Sequence, residues 1–334
     1  MDLDRFGYLR AVSTPMRVPP VLLWLLVLPG AVWALARTVG LEQGVLAVQL
    51  MAFTPYVAAA SLIPLVVALL AMDRTAARVS PLVVAVLSCA VLAACVLPRA
   101  FASPVMAAAE GPTLTVMAAN LREGGADARV IVDLVRTYQV DVLTLQEYTP
   151  AAEAALAAAG LTGLLPHSVR QPVPGTSGSA VYARLALTDT GVVRGYWFFQ
   201  AHATVQIGQS PVVVESVHPP PPVSEAGAGW AQALREQVPA PATGLRILAG
   251  DFNATLDHAE LRRLIGTGYR DAASSVGAGF LPTWSYYGRR AMVTPKVTID
   301  HILVNGSIRA TSFGAYTVPN TDHRAIIATL TVST

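Results

Sequence analysis

The placement of apolar residues divides this chain into two unlike parts. Val18 to Ala36, Gly44 to Met72 and Val79 to Leu97 are long apolar runs, and each has the length to cross a bilayer as a helix. The second needs tilt, with Pro55 and Pro64 as kink points. From Thr113 the period shortens. Runs rich in β-formers predict strands over Thr113 to Ala119, Val140 to Leu145, Ser179 to Ala183, Tyr196 to Ile207 and Pro211 to Val217. Ile247 to Ala249, Val297 to Val304, Ile308 to Tyr316 and Arg324 to Val332 predict more. Helical spacing appears over Asp127 to Tyr138, from Thr149 or Pro150 to Ala159, and over Glu225 to Gln237. Asp257 and Glu260 have the spacing of a capping box opening a helix that runs to Ile265.

Composition sharpens the division. At 53% hydrophobic and 13% charged residues, the 334-residue chain is too apolar for one soluble domain, and the excess lies at the front. The expected organisation is a cytoplasmic segment over 1–17, a three-span anchor over 18–97, a linker over 98–112 and an exported domain over 113–334. Arg5, Arg10, Arg17, Arg74 and Arg78 outnumber Arg37 and Arg99 across the spans, which sets the amino end in the cytoplasm. The chain is then a multi-pass protein of the cell membrane, with its large domain outside the cytoplasm. A linker of that length reaches at most about 50 Å, so the domain stays near the lipid. Cys89 and Cys95 both fall in the third run and supply no disulfide framework for the domain. Within the domain, sixteen basic residues balance sixteen acidic ones, and no basic run interleaves with aromatics. That balance argues against a surface gripping a nucleic-acid strand, so no stable nucleic-acid partner is expected; protein partners are left open.

Polar groups collect where strands end. Asn120 closes the first, Glu147 follows the second, and His218 stands before four prolines that permit neither strand nor helix. Alternation in the segment Gly250-Asp251-Phe252-Asn253 turns Asp251 and Asn253 to one side and Phe252 to the other. Asp300 lies within a later strand, and Asp322-His323 precede the last. Singly, each has a structural explanation as a cap, a turn residue or a satisfied interior histidine. Jointly, six strand ends carrying such groups favour convergence. His301 should face away from Asp300 and be structural, and Trp284 reads as core or rim. Carboxylate and amide oxygens without a cysteine suit Mg²⁺, with Mn²⁺ an alternative. The strand-dominated order predicts an α/β (α+β) layered sandwich; a doubly wound dinucleotide fold is excluded by the lack of a glycine-rich phosphate loop.

The series Ala119-Asn120, Leu145-Gln146-Glu147, Val217-His218, Gly250-Asp251-Phe252-Asn253, Ile299-Asp300-His301 and Thr321-Asp322-His323 resembles the endonuclease/exonuclease/phosphatase superfamily, with its deoxyribonuclease-I-like fold. The resemblance covers nearly all of Thr113 to Thr334. It implies a four-layer sandwich of two packed mixed sheets flanked by helices, here preceded by three transmembrane helices, and Mg²⁺-dependent hydrolysis of phosphate esters. It implies Glu147 as principal metal ligand with Asn120 beside it, and Asp322 at a second metal position. His323 would act as general base or hold the developing phosphorane, with Asp300 fixing its tautomer. Asp251 would orient water, Asn253 donate to phosphate and His218 contact a phosphate oxygen. The apolar runs together with His218 and its prolines are similar to the membrane-bound teicoplanin-resistance branch, which implies a lipid-linked substrate such as undecaprenyl pyrophosphate. A phosphodiesterase, either sphingomyelinase-like or an exported nuclease, would use the same metal site. A non-catalytic membrane module would not need every motif position filled.

Overall fold

A computed structural model describes residues 18–72, 75–103, 110–195, 197–223, 226–285, 293 and 295–333. The expected cytoplasmic segment 1–17, Arg74, residues 104–109 of the expected linker, Tyr196 and Glu225 lie outside the described residues.

In chain order the strands are β1 (Thr113–Asn120), β2 (Val142–Gln146), β3 (His167–Gln171), β4 (Ser179–Ala183), β5 (Leu187–Arg194) and β6 (Phe199–Ile207). β7 (Ser210–Val217), β8 (Leu245–Asp251), β9 (Arg270–Asp271), β10 (Asp300–Val304), β11 (Ile308–Thr317) and β12 (Arg324–Val332) follow. They form two six-stranded sheets, ordered β11-β12-β1-β2-β4-β3 and β5-β6-β7-β8-β10-β9. Both are mixed: β1 and β2 run parallel, as do β7 and β8, while their neighbours are antiparallel. β3 and β5 were not expected. They are edge strands carrying Arg170, Asp189 and Arg194, so the apolar alternation that marks an inner strand is missing from them.

Alternating side chains build the layers. In β8, Ile247 and Ala249 enter the core between the sheets with Val116, Val142, Ile302 and Ile326. Leu248 points outward to Trp230, Leu261 and Leu264 on the helices Ala226–Arg235 and Ala259–Gly266. On the opposite face Met117, Leu143 and Leu145 meet Ile131 and Leu156 of the helices Ala128–Thr137 and Pro150–Ala158. The result is the expected four-layer sandwich. Both helices are capped where their expected ranges begin: Asp127 accepts from the amides of Arg129 and Val130, and Thr149 from that of Ala152. Each such cap contributes about 1 kcal/mol.

The capping box expected at Asp257 and Glu260 does not form. His258 is the N-cap of Ala259–Gly266, and its side chain makes no capping bond. Asp257 is buried and turned the other way, accepting from Arg37 Nε at 3.1 Å and Arg99 Nη1 at 2.8 Å. Two guanidiniums outcompete one backbone amide for a buried carboxylate, because an ionised donor makes the stronger hydrogen bond.

Those arginines belong to the amino-terminal part, where the three expected spans also need correction. Pro20–Val39 and Ala77–Ala100 are long and apolar enough to cross a membrane. The middle run is instead two helical pieces, Val45–Met51 and Thr54–Leu70, bent by 63°. The described residues thus hold two long continuous helices; a third traverse exists only if the bent pair counts as one. The break has a local cause. Pro55 has no amide hydrogen for the Met51 carbonyl four residues back, and Thr54 Oγ donates to that carbonyl instead at 2.7 Å while accepting from Trp33 Nε1 at 3.0 Å.

The amino-terminal helices pack onto one end of the sandwich. The His258 Nε2 atom lies 2.8 Å from the Val48 carbonyl, and Val48 shares a buried cluster with Phe252 and Trp230. Gln49, an isolated polar residue in the second run, donates to the Pro222 carbonyl at 2.9 Å. Glu42 accepts from the Ala259 amide, and Tyr56 donates to the Lys296 carbonyl at 2.7 Å. The start of the expected linker is also held, since Ser103 N donates to Ser275 O and Gly279 N to Arg99 O.

Removing one partner of a buried ion pair costs about 3–5 kcal/mol, because the remaining charge is left desolvated. Asp257→Ala should therefore lower the thermal midpoint of the detergent-solubilised protein far more than Asp133→Ala, whose pair with Arg136 is exposed. Equal midpoints for the two variants would refute a latch at Asp257.

Candidate active site

Strand register assembles the site. In the first sheet Asn120 is paired with Gln146, which sets Asn120 beside Glu147. In the second, Asp251 is opposite Asp300 and Gly250 opposite Val217, which brings His218 alongside. Gly250 is required there, since a Cβ would run into the Val217 carbonyl and the Gln146 side chain. The two sheets are tied together at this end by Gln146 Nε2 donating to Ser216 Oγ and by that hydroxyl donating to the Leu145 carbonyl.

All eight residues singled out at strand ends therefore meet at one end of the sandwich. Asn120 Nδ2 donates to Glu147 Oε1 at 3.1 Å and to Asp251 Oδ2 at 3.0 Å, bridging the sheets. The Nε2 atoms of His218 and His323 each lie 3.6 Å from Asp251 Oδ2. His323 Nδ1 is held by both oxygens of Asp300, at 3.0 and 3.1 Å. The Asn253 amide N–H donates to Asp251 Oδ1, and its side chain donates to the Pro219 carbonyl, fixing the loop after His218. Asp322 sits at the rim, accepting from Trp284 Nε1 at 3.1 Å, with Arg122 Nε at 3.8 Å. His301 faces away as its strand position implies, between Asp271 and the Ala254 carbonyl.

Burial without compensation sets the charges. Desolvation, with the Asp300 carboxylate adding to it, raises Asp251 to about 7 against the pull of His323. Burial also raises Glu147. The two imidazoles part company. Burial pushes His218 down to about 3 and keeps it neutral. Burial would also lower His323, but the carboxylates of Asp300 and Asp251 outweigh it and push it up to about 10, so His323 is a cation. The backbone is strained at the same place. Arg122, Glu123, Glu147 and Asn253 are non-glycine residues with φ between 47° and 55°, a left-handed conformation that surrounding structure must enforce.

Asp251, Asp300 and His323 offer ligand atoms within 4.8 Å of one another. Two of the three are spent on each other, because Asp300 clasps His323 and a protonated imidazole has no lone pair to give a metal. Glu147 Oε1 and Asp251 Oδ2 are the better pair. Both are hard oxygens in a desolvated pocket whose carboxyl groups are raised, a condition that a divalent cation relieves. The donor set therefore fits Mg²⁺ or Mn²⁺. Asn120 turns Oδ1 to the Arg122 amide at 2.9 Å and its NH₂ to the carboxylates, which makes it the spacer between them.

Three supporting residues were not among the candidate site residues read from the sequence. Thr283 Oγ accepts from the amides of Ile299 and Asp300, Thr321 Oγ donates to the Asn120 carbonyl, and Phe198 stacks on His218. Each acts on backbone or ring atoms far away in the chain, a role that has no characteristic spacing. Trp284 belongs with them, bridging β-fashion to both Val297 and His323.

Comparison with known proteins agrees with this geometry. The model of the Endonuclease/Exonuclease/phosphatase family matches residues 117–323. No curated protein sequence matches the chain. Among solved structures, an endonuclease/exonuclease/phosphatase from Beutenbergia cavernae superposes with a TM-score of 0.54 at 20% identity, covering 66% of this chain and 72% of that one. A humanized D. rerio TDP2 gives 0.54 at 17% identity over 65% and 98%. The Bacteroides thetaiotaomicron mannosyl-6-phosphatase Bt3783 gives 0.50 at 17% identity over 65% and 99%. At these identities the structural likeness speaks for the fold. The family match spans well over half of the chain, which therefore belongs to the endonuclease/exonuclease/phosphatase family and is a metal-dependent phosphoric ester hydrolase.

Proposed function

We propose that this chain is a membrane-anchored, Mg²⁺-dependent phosphohydrolase acting at the outer face of the cell membrane on a lipid-linked phosphate or pyrophosphate, such as undecaprenyl or another polyprenyl pyrophosphate. One observation carries the reading: the apolar helices dock on the same end of the sandwich that holds the site. Val48 packs with Phe252, the residue between Asp251 and Asn253, and Gln49 holds Pro222 in the segment after His218. The outer faces of these helices are apolar and exposed, with Val21 68%, Leu25 63% and Ile63 66% accessible, as lipid contact requires. Arg37 and Arg99 both reach Asp257, so the carboxyl ends of the first and last helices lie on one side, as an odd number of crossings demands. A substrate confined to the bilayer surface meets such a site at high effective concentration. The likeness of the apolar runs, with His218 and its prolines, to the teicoplanin-resistance branch points to the same substrate class.

The residues divide the work by charge. Glu147, with Asp251 across the Asn120 amide and Asp322 at the rim, would hold the ion. When bound, Mg²⁺ draws electron density from a non-bridging phosphate oxygen and eases departure of the leaving oxygen. His323, a cation fixed by Asp300, donates to a phosphoryl oxygen as negative charge builds there. Asp251, raised towards neutrality and flanked by both Nε2 atoms, orients the attacking water. Neutral His218 and the second N–H of the Asn253 amide complete the cradle around phosphate.

Purified protein in detergent or vesicles should release inorganic phosphate from polyprenyl pyrophosphate with Mg²⁺, lose that activity in EDTA and regain it on Mg²⁺ addition. Cleavage of phospholipid diesters or DNA with no phosphate from any lipid pyrophosphate would instead favour the diesterase reading. Asp251→Asn and His323→Gln should each lower kcat by about 10²- to 10⁴-fold while the protein still inserts and folds; wild-type turnover in both would sink the assignment.

A raised imidazole pKa contributes stability that is complete below the unfolded value near 6.5 and is lost as pH rises through about 10. In metal-free protein, NMR of labelled histidine should show His323 titrating far above the ordinary range. Asp300→Asn should bring it down, and an unaltered titration would show that Asp300 does not hold the charge.

A further inference from the structure

The seam between the amino-terminal helices and the sandwich encloses a cavity of about 290 Å³. Ala52, Pro55 and Ala59 form its helical wall, at the break of the bent pair. Leu256, Phe280 and Val297 form the facing wall, and Arg99, Asp257 and Lys296 lie along its polar margin. The volume is near the lower end of the range for small-molecule sites, and the lining is mostly apolar with a few polar groups, as such sites require.

Its position sets it apart from an ordinary packing defect. Thr255 and Thr298 line it, and they flank the antiparallel pair in which Asp251 stands opposite Asp300. The cavity therefore begins just past the strand ends that supply the two buried carboxylates. Pro282 is also in its wall, next to Thr283, whose hydroxyl holds the Asp300 amide, and Val297 pairs with Trp284, which also pairs with His323. On its other side, the helix that supplies Ala59 continues into exposed apolar residues, Leu62 at 55% and Ile63 at 66%. The pocket thus joins a lipid-facing helix to the loops that carry the site. Pro55, at the 63° bend, is itself in the wall.

We infer that this cavity receives the phosphate-proximal part of the hydrocarbon chain of a lipid phosphate, so that the bent pair selects substrates by their chain. The inference rests on the lipid-phosphate reading above. An apolar chain gains by leaving water for an apolar wall, and that gain is open only to substrates long enough to reach it. The anionic head, in turn, would lie towards the site and the polar margin with Arg99 and Lys296.

The test fills the cavity from its exposed helical wall in the full-length protein. Ala59→Trp should raise KM for undecaprenyl pyrophosphate relative to that for the one-carbon methyl pyrophosphate, which has no chain to place in the cavity, by about tenfold, with kcat on the long lipid little altered. Ile63→Trp, one turn further on and facing lipid, should leave the ratio as it is. An equal ratio in Ala59→Trp and wild type, with wild type hydrolysing the long lipid, overturns the cavity while leaving the functional reading intact. Photolabelling with a diazirine placed near the pyrophosphate of a polyprenyl analogue gives an independent readout. Label on peptides containing Tyr56 or Phe280 supports the inference. Label confined to other segments overturns it, and does so even for a protein that releases no phosphate from the lipid, the outcome that would sink the functional reading.

Discussion

A carboxylate taken out of water must find partners or a proton, and Asp251 is the point where this structure confronts that requirement. It is 2% exposed, and its Oδ2 accepts from the Asn120 amide while facing the Nε2 atoms of His218 and His323. Nearly every unusual feature of the site can be traced to this burial. Asp300 holds His323 charged, and Asn120 ties the two sheets together across Asp251 and Glu147. The left-handed turns at Glu147 and Asn253 fall at this same end of the sandwich, where the surrounding contacts enforce them. A hydrolase gains from such an arrangement because the dipoles and charges are already in place before the substrate arrives.

The same burial explains why the two imidazoles differ. His218 stacks on Phe198 and has no carboxylate clasping it, so desolvation governs and it stays neutral. His323 has both oxygens of Asp300 at Nδ1 and is a cation. Environments that push like groups apart assign them separate tasks, here a neutral hydrogen-bonding partner and a positive one.

The amino-terminal helices are packed into the sandwich rather than set apart from it. Arg37 and Arg99 share Asp257, which follows Asp251 by six residues, and His258 connects Val48 to the same segment. Trp230, in edge contact with His258, donates to the Asn253 carbonyl at 2.9 Å. A continuous set of contacts therefore runs from the helix Val45–Met51 to the loop holding Asp251 and Asn253.

By itself the sequence determined the layers and the identity of the polar groups that meet at the site. Period-two alternation separates Leu248 from Ile247 and Ala249, and it puts Asp251 and Asn253 on one side of Phe252; that is backbone geometry, and it holds before any tertiary contact forms. Polar residues at strand ends could likewise be read directly, since a strand's interior has no room for them. Tertiary structure alone decided the rest. The edge strands β3 and β5 exist because inner strands offer them hydrogen bonds, a benefit invisible in their own polar composition. Asp257 had the spacing of a helix cap, but two arginines more than 150 residues away in sequence claimed it. The second apolar run was long enough to span, yet the docking of Val48 and the missing amide of Pro55 broke it in two. The charge states of His218 and His323 also lay beyond the sequence, because they depend on whether the folded chain clasps a buried ring with a carboxylate, as Asp300 does His323 at 3.0 Å, or leaves it without one.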